Sequence, residues 1–481
     1  MQKSNLQFFL LNALSIILVL SILSCNNDNS TNPVQSSEKQ ILSFNFESIK
    51  NPVIGSIDQK AKTIVLTVPF GTNITNLIPT ITVSDSATVT PSSGVAQNFT
   101  NSVNYTVIAQ DGSSITYLVT VNLNAIPTEP IELFGSITKD STLKDLGLPI
   151  DYIVTGDLSI DGSALLTIEP GTTIAFSTEI NEFEVNYYAG IKAVGTANKP
   201  IIFTGPESNQ NKGAWVGIVI YSKRNENEFD YVYINNAGRN DFPGLKLSGN
   251  LSISNSKISN CLNDGISMED GWGSLIKFEK NLIENCDGFP IDCYDFEQAM
   301  PINLTSNFVN NGKQYIKISH STSFNRKMTI NPNKIPYFAN SLSVCDDTLI
   351  INDGVEIAFE YESNIYVYVG GVLKINGSIK GVVLTGYHKE PGSWEGIMVY
   401  NSYDNSISNC KIEYAGGWSA NLECTRSGKL TLKNVALNYS KGYGAYIDDE
   451  ATIIHSGVTF KNNKLGNVYN STKNEVTEYW P

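Results

Sequence analysis

SGNLSISNSKISNCLNDGISMEDG (248–271) returns further along the chain as SGKLTLKNVALNYSKGYGAYIDDE (427–450). The same spacing separates Trp215 from Trp394 and Asp270 from Asp449. Upstream the match continues with slightly wider spacing. LSIDGSALLTIEPGTTIAF (158–176) pairs with LSVCDDTLIINDGVEIAF (342–359), and AGIKAVGTANKPIIFTG (189–205) with GGVLKINGSIKGVVLTG (370–386). GAWVGIVIYS (213–222) pairs with GSWEGIMVYN (392–401). The slow drift reads as small loop deletions on a shared scaffold, so a large block has been duplicated. The blocks fall at about 150–295 and 335–475.

A finer repeat of roughly 20–25 residues lies inside each block: strand, polar turn, strand, Asn-rich corner. Asn260-Cys261, Asn285-Cys286, Asn310-Asn311, Asn409-Cys410 and Asn462-Asn463 mark what reads as one recurrent corner. Short β-runs with almost no helical periodicity predict a β-solenoid, with aliphatic side chains stacked inside and Asn or Cys stacked at a turn. At ~4.8 Å per coil, about fourteen coils would make a rod roughly 65 Å long. The single helix candidate is the stretch 141–146, which could cap the first coil.

Residues 40–123 read differently. Alternating runs such as TIVLTV (63–68) and ITYLVTV (115–121) are separated by turn signals at Asn51-Pro52, Pro91 and Asp111-Gly112. This spacing predicts a small antiparallel Ig-like β-sandwich. A Pro-bearing linker, 124–133, joins it to the solenoid at 134–481. The whole chain is therefore expected to be all-β.

The N-terminus reads as an address. Lys3 precedes an apolar run, FFLLNALSIILVLSIL (8–23), shorter than the ~20 residues of a spanning helix. Ser24-Cys25 and a polar stretch, NNDNSTNPVQSSEK, follow. Residues 1–24 thus read as a signal peptide, Cys25 as the lipidated residue and 25–39 as a flexible tether. The alternative is an uncleaved anchor helix with an incidental Cys.

Three resemblances accompany these readings. The segment ending in Cys25 resembles the bacterial lipobox, which implies a lipoprotein held in a membrane, at the outer membrane or cell surface. NPVIGSID, VPFGTNITNLIPTITVS and DGSSITYLVTV resemble the small Ig-like module at the N-terminus of Bacteroidetes surface lipoproteins, which implies a spacer or binding module. LTIEPGTTIAF with KAVGTANKPIIFTG and GAWVGIVIYS resembles the first coils of Bacteroidetes right-handed parallel β-helix lipoproteins. That last resemblance implies a pectate-lyase-like fold over 134–481.

Formal net charge is −14, and Arg occurs only at Arg224, Arg239, Arg326 and Arg426. Such a balance argues against nucleic acid as a partner. With three His and no CxxC, the sequence offers no zinc site. The six remaining Cys (Cys261, Cys286, Cys293, Cys345, Cys410, Cys424) could form disulfides in an exported protein.

Several residues merit a functional reading beside a plainer one. Trp215 and Trp394, in matching G-x-W-x-G-I contexts, suit either a sugar-stacking platform or corner packing, and packing is preferred. Tyr187, Tyr188, Tyr366, Tyr368, Tyr400, Tyr403 and Trp418 could form a glycan strip or be ordinary β-surface aromatics. Asp264, Asp292, Asp295 and Glu297 could line an acid/base groove. The equivalent pairs Glu269/Asp270 and Asp448/Asp449 could hold Ca²⁺ or merely cap turns. No other cofactor is implied. The NTD, HG and RIK segments of polygalacturonase-like hydrolases and the RxPxxR of pectate lyases are absent. The sequence therefore favours a non-catalytic binding or adhesion protein for polysaccharide or a surface protein, with a polysaccharide lyase or hydrolase as the alternative.

Overall fold

A computed structural model describes residues 34–49, 52–125, 127–177, 182–268 and 270–480. Cys25 and the apolar run before it lie outside the described residues, as does Glu269. The chain divides after Ala125 into two compact units.

The first unit packs a three-stranded sheet against a five-stranded one. In Thr63–Val68 the second, fourth and sixth side chains are buried, so alternation alone sends Ile64, Leu66 and Val68 inward. They meet Phe44, Phe46, Phe99, Tyr105 and Tyr117 in one core. Phe44 packs edge-on against Tyr105 with centroids 5.1 Å apart.

The second unit is a parallel β-solenoid of about 13 turns. Each turn gives a short strand to three sheets, here faces A, B and C. Face A climbs through Phe183–Val185, Ile218–Ile220, Leu245–Leu247, Ile266–Met268, Ile291–Cys293, Ile316–Ile318 and Tyr337–Ala339. Face B begins with Ser141–Leu143, Leu165–Ile168 and Gly190–Val194. Face C includes Thr173–Phe176, Ile201–Thr204 and Val232–Asn235. In the face A strands just named the outer two side chains point inward and the middle one outward, as in Ile316-Lys317-Ile318, whereas Glu228–Asp230 on face B and Leu282–Glu284 on face C turn the middle one inward. Stacked Ile, Leu, Val and Phe therefore fill the bore, and an outward row runs up each face.

The helix expected at 141–146 is absent. Ser141–Leu143 is a strand, because Leu143 is needed as the first buried rung of face B. The α-helix among the described residues is Phe296–Ala299, which takes the place of one face B strand. Its Phe296 packs on Tyr337 at 5.3 Å, so the bore stays filled where the ladder breaks.

The two copies of the duplication do not sit on the same faces. Leu158 pairs on face A, whereas its counterpart Leu342 pairs on face B. Ile218 is on face A and its counterpart Ile397 on face B. Ile201–Thr204 is on face C, and its counterpart Val382–Gly386 lies on face A, above Glu356–Phe359. Seven turns and one further face separate Leu158 from Leu342. The second copy is thus turned by one face.

That turn corrects the single Asn corner expected from the sequence. Asn260, Asn285, Asn310, Asn409 and Asn462 all take positive φ, the left-handed conformation Asn tolerates. The following residue carries the rung, buried at Cys261, Cys286, Asn311 and Cys410 and half-buried at Asn463. Asn311 accepts from Cys286 N and donates to Ile283 O, each at 3.0 Å. Asn463 accepts from Ser440 N and donates to Leu437 O, again at 3.0 Å. The bonding is the same, but Asn311 lies between faces C and A and Asn463 between faces A and B.

Candidate functional site

The second copy carries a tyrosine-lined surface on face B. Register places Tyr366, Met398, Glu423, Tyr446 and Tyr469 in one outward row on five successive turns. Each sits between inward-facing neighbours in an alternating strand, as Tyr366 does between buried Ile365 and Val367. The alternation that fills the bore therefore leaves an aromatic and acidic row outside.

Glu423 is held at the centre of this row. Tyr400 Oη donates to Glu423 Oε1 at 2.5 Å and Ser419 Oγ to Glu423 Oε2 at 2.7 Å. The Arg426 guanidinium lies 5.0 Å from the Tyr400 ring centroid, a cation–π distance. Burial and the neighbouring Glu423 carboxylate push the Tyr400 phenol up, so it stays a neutral donor. Tyr366 packs on Tyr368 at 4.0 Å and edge-on against Tyr400 at 5.2 Å. Tyr443 stacks on Tyr469 at 4.8 Å. One border of the row is a cleft lined by Tyr361, Glu395, Gly417, Trp418 and Lys441. Trp418 is 72% exposed, so its ring is open to a ligand. The arrangement suits sugar binding: rings for the apolar faces of pyranoses, and a fixed carboxylate and guanidinium for their hydroxyls.

The sequence reading picked out Tyr366, Tyr368, Tyr400, Tyr403 and Trp418, and all lie on or beside face B of the second copy. It missed Glu423, Tyr446 and Tyr469. Their signal was the alternation of Ala420–Cys424, Tyr443–Ile447 and Gly466–Asn470, which becomes a row only once register is known.

Trp215 and Trp394 are not surface platforms. Both are buried, with Nε1 spent on a main-chain carbonyl: Asn235 O at 2.8 Å and Glu413 O at 2.9 Å. Both rings pack inside the bore.

The acidic residues expected around Asp264–Glu297 fall into two pairs, of which Asp295 and Glu297 line one cleft. Asp295 is the N-cap of the short helix, accepting from Gln298 N at 3.1 Å. Glu297 forms a forked pair with Arg326, its Oε1 accepting from Nε at 3.0 Å. Each carboxylate thus has a partner of its own. Asp264 and Asp292 do lie near one another. Asp292, in the outward row of face A, is buried against Lys317 Nζ at 2.6 Å and Ser319 Oγ at 2.5 Å. Asp264 accepts from Phe289 N at 2.6 Å. Burial pushes its carboxyl up to about 6, aided by the Asp292 charge and opposed by that N–H, Lys317 and Lys313.

The described members of the carboxylate pairs read for Ca²⁺, Asp270, Asp448 and Asp449, accept hydrogen bonds from nearby N–H groups. Asp270 accepts from Trp272 N at 3.0 Å, and Asp448 from Arg426 N at 2.6 Å. Asp449 is held low by Asn470 Nδ2 at 2.8 Å and by Lys473. Among the described residues no three His, Cys, Asp or Glu side chains converge as a metal site. The six cysteines beyond Cys25 are free thiols, and Cys293 and Cys410 are pushed up by burial, as packing residues should be.

Comparison with known proteins fits both units. The family described as SGBP, N-terminal, matches residues 41–121, and the pectate-lyase like β-helix domain matches residues 135–266. The chain joins an SGBP N-terminal domain to a pectate-lyase-like β-helix. No curated protein matches it. Among solved structures, a "putative glycoside hydrolase" from Bacteroides thetaiotaomicron is 31% identical over 20% of this chain and 27% of its own, with a TM-score of 0.16. This chain spans about a quarter of that protein's length. A "putative secreted protein" from Bacteroides fragilis is 23% identical over 18% of this chain and 97% of its own, with a TM-score of 0.15.

Proposed function

We propose that the chain is an exported surface lipoprotein, anchored through a lipid on Cys25, that binds polysaccharide on its β-helix without cleaving it. The SGBP N-terminal domain serves as the spacer between anchor and β-helix. The observation that carries this reading is the outward row Tyr366, Glu423, Tyr446 and Tyr469, with Met398 covered within it and Trp418 at its border. The SGBP domain match supports it from the other end of the chain. Polysaccharide arrays and affinity electrophoresis test it. Saturable binding to at least one glycan is expected, weakened at least about fivefold by Tyr366→Ala with Tyr446→Ala, since each ring contact is worth ~0.5–1.5 kcal/mol. Binding to nothing on a broad array, or binding indifferent to both changes, would sink the reading.

Cleavage is the second reading. Its support is the nearness of Asp264, with its carboxyl pushed up to about 6, to the Asp292–Lys317 pair on face A. It requires new reducing ends or unsaturated uronate products from some polysaccharide, lost in Asp264→Asn.

A further inference from the structure

The one-face turn of the second copy means that face A of the first copy is the structural counterpart of the tyrosine-lined face B. Tyr221 is the counterpart of Tyr400, since YS at 221–222 aligns with YN at 400–401. Tyr221 leaves Ile218–Ile220 on face A as Tyr400 leaves Gly396–Val399 on face B. The first copy has kept the position and built a different aromatic strip around it. One turn before Tyr221, Tyr187 and Tyr188 pack edge-on at 4.9 Å, and both are exposed. Two turns after it stands Trp272, 71% exposed. Lys223 holds that Trp in place: its Nζ donates to Trp272 O at 2.5 Å and to Ser248 O at 3.0 Å, and lies 5.9 Å from the ring centroid. These rings stand at one corner, between faces A and B, so they form a strip along the stacking direction of the coils.

Beside the strip the carboxylates Glu182, Glu184 and Asp270 outnumber the cations Lys223 and Lys246. Burial pushes the Tyr221 phenol up, and Glu184, Glu182 and Asp270 lie close enough to add to it. Carboxylates accept hydrogen bonds from sugar hydroxyls but repel uronates and sulfate esters. We infer that the β-helix has a second glycan site on face A of the first copy, formed by Tyr187, Tyr188, Tyr221 and Trp272, that takes uncharged polysaccharide. The chain is then bivalent, with two sites related by the duplication and turned one face apart. This inference rests on the reading above that face B of the second copy binds glycan.

Calorimetric titration of the full-length protein in detergent tests it, with neutral hexasaccharides (cello-, xylo-, manno-, malto- and laminarihexaose) and oligogalacturonate as the charged probe. Two sites per chain are expected for one or more neutral probes. Tyr188→Ala with Trp272→Ala weakens one, as Tyr366→Ala with Tyr446→Ala weakens the other, each by an affinity loss of at least about fivefold. All four residues are exposed or half-buried, so thermal unfolding should be unchanged. A single site indifferent to Tyr188→Ala with Trp272→Ala overturns the inference and leaves the earlier reading standing. Loss on that pair alone, with Tyr366 and Tyr446 silent, overturns the earlier reading and the bivalency together. Preference for oligogalacturonate overturns the assignment to uncharged glycans, and no binding to any probe overturns both readings.

Discussion

Trp394 stacks on Phe359 with ring centroids 4.4 Å apart and planes 10° from parallel, and Trp215 does the same with Phe176 at 4.2 Å and 12°. The two pairs are counterparts in the duplication but sit one face apart around the solenoid. Each pair closes the bore at a corner, which explains why G-x-W-x-G-I survived in both copies. Gly217 and Gly396 both take positive φ, and a Cβ at either would fall 2.5 Å from a main-chain oxygen of the next coil.

A first prediction concerns these tryptophans. Trp215→Ala and Trp394→Ala should each destabilise the β-helix by about 3–5 kcal/mol, the range for emptying a buried aromatic site. Denaturant unfolding of the full chain would show it as an early transition. Glycan affinity of protein that remains folded should not change. A large loss of affinity at unchanged stability would restore the platform reading.

The buried ion pair gives a second prediction. Asp292 is 1% exposed, so removing Lys317 strands a carboxylate in the interior. Lys317→Met should cost about 3–5 kcal/mol, whereas Asp292→Asn, which keeps the hydrogen bond to Ser319, should cost less. Asp292→Leu with Lys317→Met should cost less than the sum of the single changes, since neither charge is left alone. Additive costs in a double-mutant cycle would show the pair to be uncoupled.

These cases mark what the sequence made legible. The duplication and the Asn corners announced a solenoid, because Asn tolerates the positive φ that recurs where the coils turn, although Tyr414 and Tyr439 take it at other corners. The one-face turn was hidden, since it depends on how many strands lie between Leu158 and Leu342. One of those places is filled by Phe296–Ala299, too short to show a helical period. For the same reason Asp295 read as an acid and turned out to be a helix cap. Trp215 and Trp394 were ambiguous because an aromatic beside Gly suits both a platform and a packed corner, and only burial separates them. Glu423 was invisible because its importance comes from Tyr400 and Ser419, which reach it only when the coils stack.

Anchoring supplies a third prediction. Expressed in a bacterium with lipoprotein processing, the chain should label with fatty acid and sediment with membranes. Cys25→Ser should abolish the label and release the protein from the membrane fraction. A Cys25→Ser protein that still sediments would show that the apolar run 8–23 is retained as an anchor.

The fourth prediction is a pH dependence. Asp264 has a folded pKa of about 6, raised above the ordinary aspartate value of 3.8 mainly by burial. The folded state therefore holds its proton over a range in which the unfolded chain has released it. Stability from this group is full below about pH 4 and is lost as pH rises through about 6, the reverse of an ordinary salt-bridged carboxylate. The loss is of order 3 kcal/mol at most, because each tenfold change in proton affinity corresponds to about 1.36 kcal/mol. Asp264→Asn cannot lose a proton and keeps an oxygen for Phe289 N, so the variant should gain stability on the wild type as pH rises from about 4 to about 7. Comparing the two by urea unfolding cancels every other titrating group. A constant difference across that range would mean that the Asp264 carboxyl titrates normally and is open to water.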